Sequence, residues 1–161
     1  MGGKEASGPQ PGESHKERVD RELIELLNEL RVVLPGVQVL FAFLLTVPFT
    51  GTFGDLDGVQ RDAYLTAFFA TAFATVCLMT PTTYHRLRFR KGDKEVMLHT
   101  SNRFALAGIA GLSVSIVAVV WLVSDLVISR TAANVIAIVT ALLVVGAWFG
   151  IPLVRRLRDD D

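Results

Sequence analysis

The residues able to do chemistry are few and stand at the edges of long apolar runs: Glu29, Arg31, Gln38, Arg61, Asp62, His85, Arg86, Asn102 and Arg103. A carboxylate beside a guanidinium can hold an ion or relay a proton, and shared depth makes Glu29 with Arg86 or Arg103 the candidate pair. Gln38 offers an amide, which in apolar surroundings binds through hydrogen bonds rather than charge. Acid–base work could draw only on Arg61, Asp62, His85 and His99, and these have no catalytic spacing. His15, His85 and His99 lack metal-ligand spacing. The single cysteine, Cys77, sits inside an apolar run, so neither an intrachain disulfide nor a thiolate metal site is expected. No Gly-rich phosphate loop follows a strand, and no Ser/His/Asp or Cys/His set is recognisable. Binding without a cofactor, and no enzyme activity, is the expectation these residues set.

The elements that must position them are apolar helices. Half the 161 residues are hydrophobic and mean hydropathy is +0.44, while the 20 % that are charged almost avoid four stretches. These run over about 32–50, 63–80, 104–124 and 132–154. Each is close to the ~20 residues that cross ~30 Å of hydrocarbon at 1.5 Å per residue. The fold class expected is an all-α membrane protein, four transmembrane helices in a bundle spanning 32–154. Before it, Val19, Leu23, Leu26, Leu30, Val33 and Val37 recur every three or four residues among charges. That seam predicts an amphipathic cytoplasmic helix over 16–31, lying at the membrane surface, folded onto the bundle or pairing as a short coiled coil. The Gly- and Pro-rich start, 1–15, reads as a disordered tail, with no apolar core of a signal peptide after it, and 155–161 as a charged tail. Proline at Pro35, Pro48, Pro81 and Pro152 falls near span ends, where it kinks or stops a helix.

Charge sets the orientation. Of 16 Lys and Arg, five lie up to Arg31, six between Arg86 and Arg103, and three from Arg155 to Arg158. The remaining two connections hold only Arg61 and Arg130, beside Asp55, Asp57, Asp62 and Asp125. Positive charge stays inside, so both termini and a basic central loop belong in the cytoplasm of a multi-pass cell-membrane protein. That loop, His85 to Arg103, also suits anionic lipid headgroups. Tyr64 and Trp121 would then mark the outer interface, Tyr84 and Trp148 the inner one. Small residues predict the helix contacts: Ala63, Ala67, Ala70 and Ala74 on the second span, and Ala107, Gly111, Ser115 and Ala118 on the third, with Gly108 beside them. Gln38 and Asn134 are amides at depth, each expected to bond a neighbouring helix.

The run from Asn28-Glu29-Leu30-Arg31-Val32 through Pro35-Gly36-Val37-Gln38 to Val47-Pro48-Phe49, with His85-Arg86, Phe89-Arg90 and Asn102-Arg103, carries a resemblance. It resembles a family of small integral membrane proteins of unknown function, common in actinobacteria, over nearly the whole chain after its start. Such proteins sometimes carry the label sodium:proton antiporter. Antiport needs groups that alternately bind ion and proton within the membrane, and the central parts of the four spans hold no charge. The expected role is a non-enzymatic scaffold, sensor or modulator acting through helix packing and a basic cytoplasmic face. The alternative is a small oligomeric cation or proton transporter or channel subunit. Expected partners are the bilayer and its anionic headgroups, and a second copy or another membrane protein, with no nucleic acid.

Overall fold

Ser14 starts the first helix. Its hydroxyl accepts the Glu17 N–H while the Glu17 carboxylate accepts the Ser14 N–H at 2.8 Å, a reciprocal cap that satisfies two otherwise open donors. The helix, α1, runs from His15 to Thr46, its first turns stiffened by Arg18–Glu22 and Arg21–Glu25 pairs one turn apart. Two 3-10 turns, Val47–Phe49 and Gly51–Asp55, lead to α2, Gly58–Arg88. Then come α3, Lys94–Val127, and α4, Arg130–Val145. The computed structural model describes residues 14–88 and 94–147. Among these there are four α-helices and no strands. Three helices are long and apolar enough to cross a membrane, over Glu17–Phe49, Gly58–Thr83 and Val96–Val127, and α4 is apolar but shorter.

Two expectations about boundaries change. The amphipathic segment is not separate from the first apolar segment: α1 carries both, and Pro35 lies inside it without ending it. The missing N–H of Pro35 removes one ladder bond, and the packed Leu34 and Val37 on either side hold that stretch against the other helices. Nor is 86–103 a long loop, since α2 continues past Pro81 to Arg88 and α3 begins at Lys94. Of the expected tail 1–15, Ser14 caps α1 and His15 begins it. Residues 1–13 lie outside the described residues, as do the expected tail 155–161, the end of the fourth apolar stretch, and the side chains of Tyr84, His85, Arg86 and Trp148.

The helices pack in alternating directions. Leu30 and Val37 of α1 meet Ala74 and Leu78 of α2 and Ala105 of α3 in one cluster. Further along, Leu44 meets Tyr64, Ala67 and Leu122 in a second. Burial on α1 at Leu23, Leu30, Val37 and Leu44 returns every seven residues, the repeat of a supercoiled seam. Against the expected seam, Val33 turns outward and Leu34 packs in its place. The α2–α3 contact is the tightest. A Cβ on Gly108 would stand 2.6 Å from Leu78 Cγ and 3.2 Å from the Ala74 carbonyl; one on Gly111 would stand 3.0 Å from a Phe73 ring carbon and 3.2 Å from the Ala70 carbonyl. Between these helices the Thr71 and Ser115 hydroxyls lie 2.5 Å apart, and each is in hydrogen-bond reach of the Ala67 carbonyl. Gly108 thus belongs in the contact stripe itself. Tyr64 is buried among the helices, its hydroxyl donating to the Leu44 carbonyl at 2.9 Å and its ring edge-on to Phe53.

On the other flank of α3 lies α4. Among the described residues its backbone comes close to that of α3 but to neither α1 nor α2. Ala133 and Ala137 form its buried side. The expected bundle is therefore three mutually packed helices with a fourth laid against one of them.

The Gly108 contact can be tested directly. Gly108→Val should lower the stability of the detergent-solubilised protein by about 1–3 kcal/mol, as overpacking does, seen as an earlier loss of helical circular dichroism on heating. Gly36→Ala, where nothing stands within 4 Å of the new Cβ, should instead be neutral or stabilising by up to about 1 kcal/mol.

Candidate functional site

Polar side chains collect at the two ends of the helices. At the end where α1 and α3 begin, a groove of about 320 Å³ is lined by Glu22, Glu25, Leu26 and Glu29 of α1 and Leu98, His99 and Asn102 of α3. Glu29 and Asn102, both singled out from the sequence, come together here. Arg103 does not: Asn102 is the residue that turns into the groove, and among the described residues Glu29 forms no ion pair. Arg31 points outward, and the backbone of His85 and Arg86 lies in the last turn of α2. Glu22 and Glu25 are already matched by Arg18 and Arg21, so the groove offers one uncommitted carboxylate rather than three. Nearby, Ser101 is buried, and its hydroxyl has no partner among the described residues.

The opposite end holds the more densely bonded cluster. Asp57 precedes α2 and caps it: its Oδ1 accepts the Gln60 N–H at 2.8 Å, and Gln60 Oε1 accepts the Asp57 N–H at 3.0 Å. Gln60 Nε2 then donates to Asp125 Oδ2 on α3 at 2.7 Å. Ser129 starts α4 with its hydroxyl accepting the Ala132 N–H, which places Arg130 in the first turn. Arg130 donates through Nε to Asp125 Oδ1 at 2.8 Å and through Nη2 to Asp57 Oδ2. Its guanidinium lies 5.1 Å from the centre of the Trp121 ring, and the Trp121 indole N–H donates to Asn134 Oδ1 at 2.8 Å. One cation thereby joins the start of α2, the end of α3 and the start of α4. The Asp125 side chain is only 4 % exposed, whereas Asp57 and Arg130 remain open to solvent.

Of the remaining candidates, Arg61 lies over Phe53 at 5.8 Å and Asp62 is exposed beside it. Gln38 faces outward from α1, and none of the described residues bonds its amide. Asn134 does bond a neighbouring helix, as expected, through Trp121. Sequence reasoning treated Asp57, Asp125 and Arg130 as topology markers and did not join them. Their signal was faint: an Asp and an Arg five apart across a tight turn, and an Asp three before a Gln at a helix start. Among the described residues no group of three or more His, Cys, Asp or Glu could hold a metal ion.

The Asp57 carboxyl sits below its ordinary value because the backbone N–H of Gln60, and after it the Arg130 guanidinium, favour the charged form. A carboxylate depressed on folding stabilises the fold fully above the ordinary aspartate pKa, and that contribution is lost as pH falls through the lower folded value. Thermal stability should therefore decline as pH is taken below the ordinary carboxylate range. Asp57→Asn should start less stable at neutral pH and show a shallower acid limb, followed by circular dichroism melts across pH.

Neither the comparison with curated proteins nor that with solved structures finds a match. A family profile, described as a family of unknown function (DUF6328), matches residues 12–152. The match takes in α1 to α4, both polar ends and every residue of the Arg130 cluster. The chain belongs to the DUF6328 family.

Proposed function

We propose that this chain is a multi-pass protein of the cell membrane, with four spans and both termini in the cytoplasm, that works without catalysis by holding another helix against α1. The single observation behind this reading is Gln38. Its amide stands on the outward side of α1, level with the buried Val37 and beside exposed Val39, with no bond to any described residue. In water such an amide is ordinary, but in hydrocarbon an unmet amide is costly and drives helix pairing. The surrounding surface supports a hydrocarbon setting. Large apolar side chains such as Val32, Phe43, Phe69 and Leu142 are exposed on the outer sides of the helices, far more than a soluble monomer shows. The Thr71 and Ser115 hydroxyls are turned inward and bonded, as a helix interface in lipid requires. The partner on α1 is a second copy or another membrane protein, and the basic end rests against anionic headgroups.

In a Cys77→Ser background, Val39→Cys should capture a neighbouring helix by cross-linking in native membranes. Adding Gln38→Leu should weaken that capture about threefold, the effect of one amide bond between membrane helices. Capture that is absent, or indifferent to Gln38, would sink the reading. Purified protein in liposomes should leave the bilayer tight under sodium and proton gradients. A sustained flux would instead favour the oligomeric transporter, with Gln38 lining its axis.

A further inference from the structure

Because the backbones of α2 and α4 both come close to α3 but not to each other, a trough remains between them. It holds about 440 Å³ and runs along α3 from Ser113 to Trp121, about 12 Å of helix. Its walls are small or aliphatic: Ala63, Ala118 and Ala141 with Val114, Val117 and Val144. Water is a poor occupant, since it needs two to four polar partners and Ser113 already donates to the Ile109 carbonyl. A helix about 10 Å across would rest on the mouth of this open groove rather than fill it. A single alkyl chain fits.

The trough also has a polar end. Trp121 forms part of its wall, and directly above that ring lies Arg130 with Asp57 and Asp125. The bonds to the two carboxylates use Nε and Nη2 of the guanidinium, so Arg130 keeps further N–H donors that bond none of the described residues, on a part-exposed side chain beside the exposed Asp57 carboxylate. Two carboxylates and one guanidinium leave a net charge of −1 with both signs exposed. That arrangement complements a zwitterion, phosphate toward Arg130 and ammonium toward Asp57, and opposes a purely anionic head. An ammonium bearing N–H groups can donate to Asp57; a trimethylated one cannot.

We propose that the α2–α3–α4 trough binds one acyl chain of an amine-bearing zwitterionic phospholipid, whose headgroup is held by Arg130 and Asp57. This rests on the membrane reading above but not on the Gln38 contact. The test is native mass spectrometry of the full-length detergent-purified protein, titrated with phosphatidylethanolamine, phosphatidylcholine and phosphatidylglycerol of matched chains. The wild type should retain the ethanolamine lipid about tenfold better than the choline lipid, the worth of one charge-assisted hydrogen bond. Ala141→Phe, which fills the trough, should abolish retention of all three. Asp57→Asn should keep the chain but lose the preference between heads. Equal retention of the three lipids by the wild type overturns the proposal, as does undiminished binding by a folded Ala141→Phe protein. Should that variant fail to fold, Asp57→Asn decides, because an unchanged preference refutes the headgroup site. Alkaline washing of native membranes separates the two readings: release of the protein ends the membrane reading, whereas retention without lipid preference ends this proposal alone.

Discussion

The close approach of α2 and α3 is the constraint on which the other contacts depend. Glycine at 108 and 111 lets the backbone of α3 come within contact of the Ala70 and Ala74 carbonyls, where any side chain would push it away. At that distance Ser115 can reach across to the Ala67 carbonyl and to Thr71, a bond unavailable between helices held apart by leucines. Two hydroxyls are thus satisfied inside the contact rather than left as a cost. Leu78, Leu30 and Val37 then fill the hollow beside the pair, and α1 is seated by the heptad that carries them.

A stiff α1 has its own consequence. Its 32 residues extend about 48 Å, well beyond ~30 Å of hydrocarbon. Because the same burial repeat continues from Leu44 back to Leu23, the charged first half is carried in line with the apolar second half. It meets the beginning of α3 at Leu98 and Asn102. Of the arrangements open to an amphipathic segment, the one observed uses its seam within the chain. A helix lying flat on a membrane would have to break near Pro35, and α1 does not.

Much of this was legible from spacing. The apolar runs locate four helices, the three-and-four spacing of small residues finds the α2–α3 contact, and the seam on α1 is right at Val19, Leu23, Leu30 and Val37. What spacing missed has physical causes. Val33 and Leu34 are both apolar, so composition cannot tell which one the phase of the helix turns inward. Helix ends at Arg88 and Lys94 are polar because they lie past the apolar stretch, and polarity alone reads as a loop although the backbone stays helical. Nor does residue type show that the Tyr64 hydroxyl finds the Leu44 carbonyl across twenty residues. Likewise Asp57, Gln60, Asp125 and Arg130 are ordinary loop residues until the fold brings three helix ends together.

Those three ends also add a polar tie to α4, which packs along α3. Packing through Ala133 and Ala137 fixes one side of α4 to α3. Arg130 adds a second restraint, since Asp125 anchors it to α3 and Asp57 ties it to the start of α2. α4 is therefore held both by apolar contact along α3 and by a polar bridge at one end. On the opposite flank α1 packs along its length and turns a lone amide outward at Gln38. The two sides of the molecule differ in what they leave unmet: a hydrogen-bonding group on α1 and an apolar volume beside α4. A helix satisfies the first need and a chain of methylene groups the second.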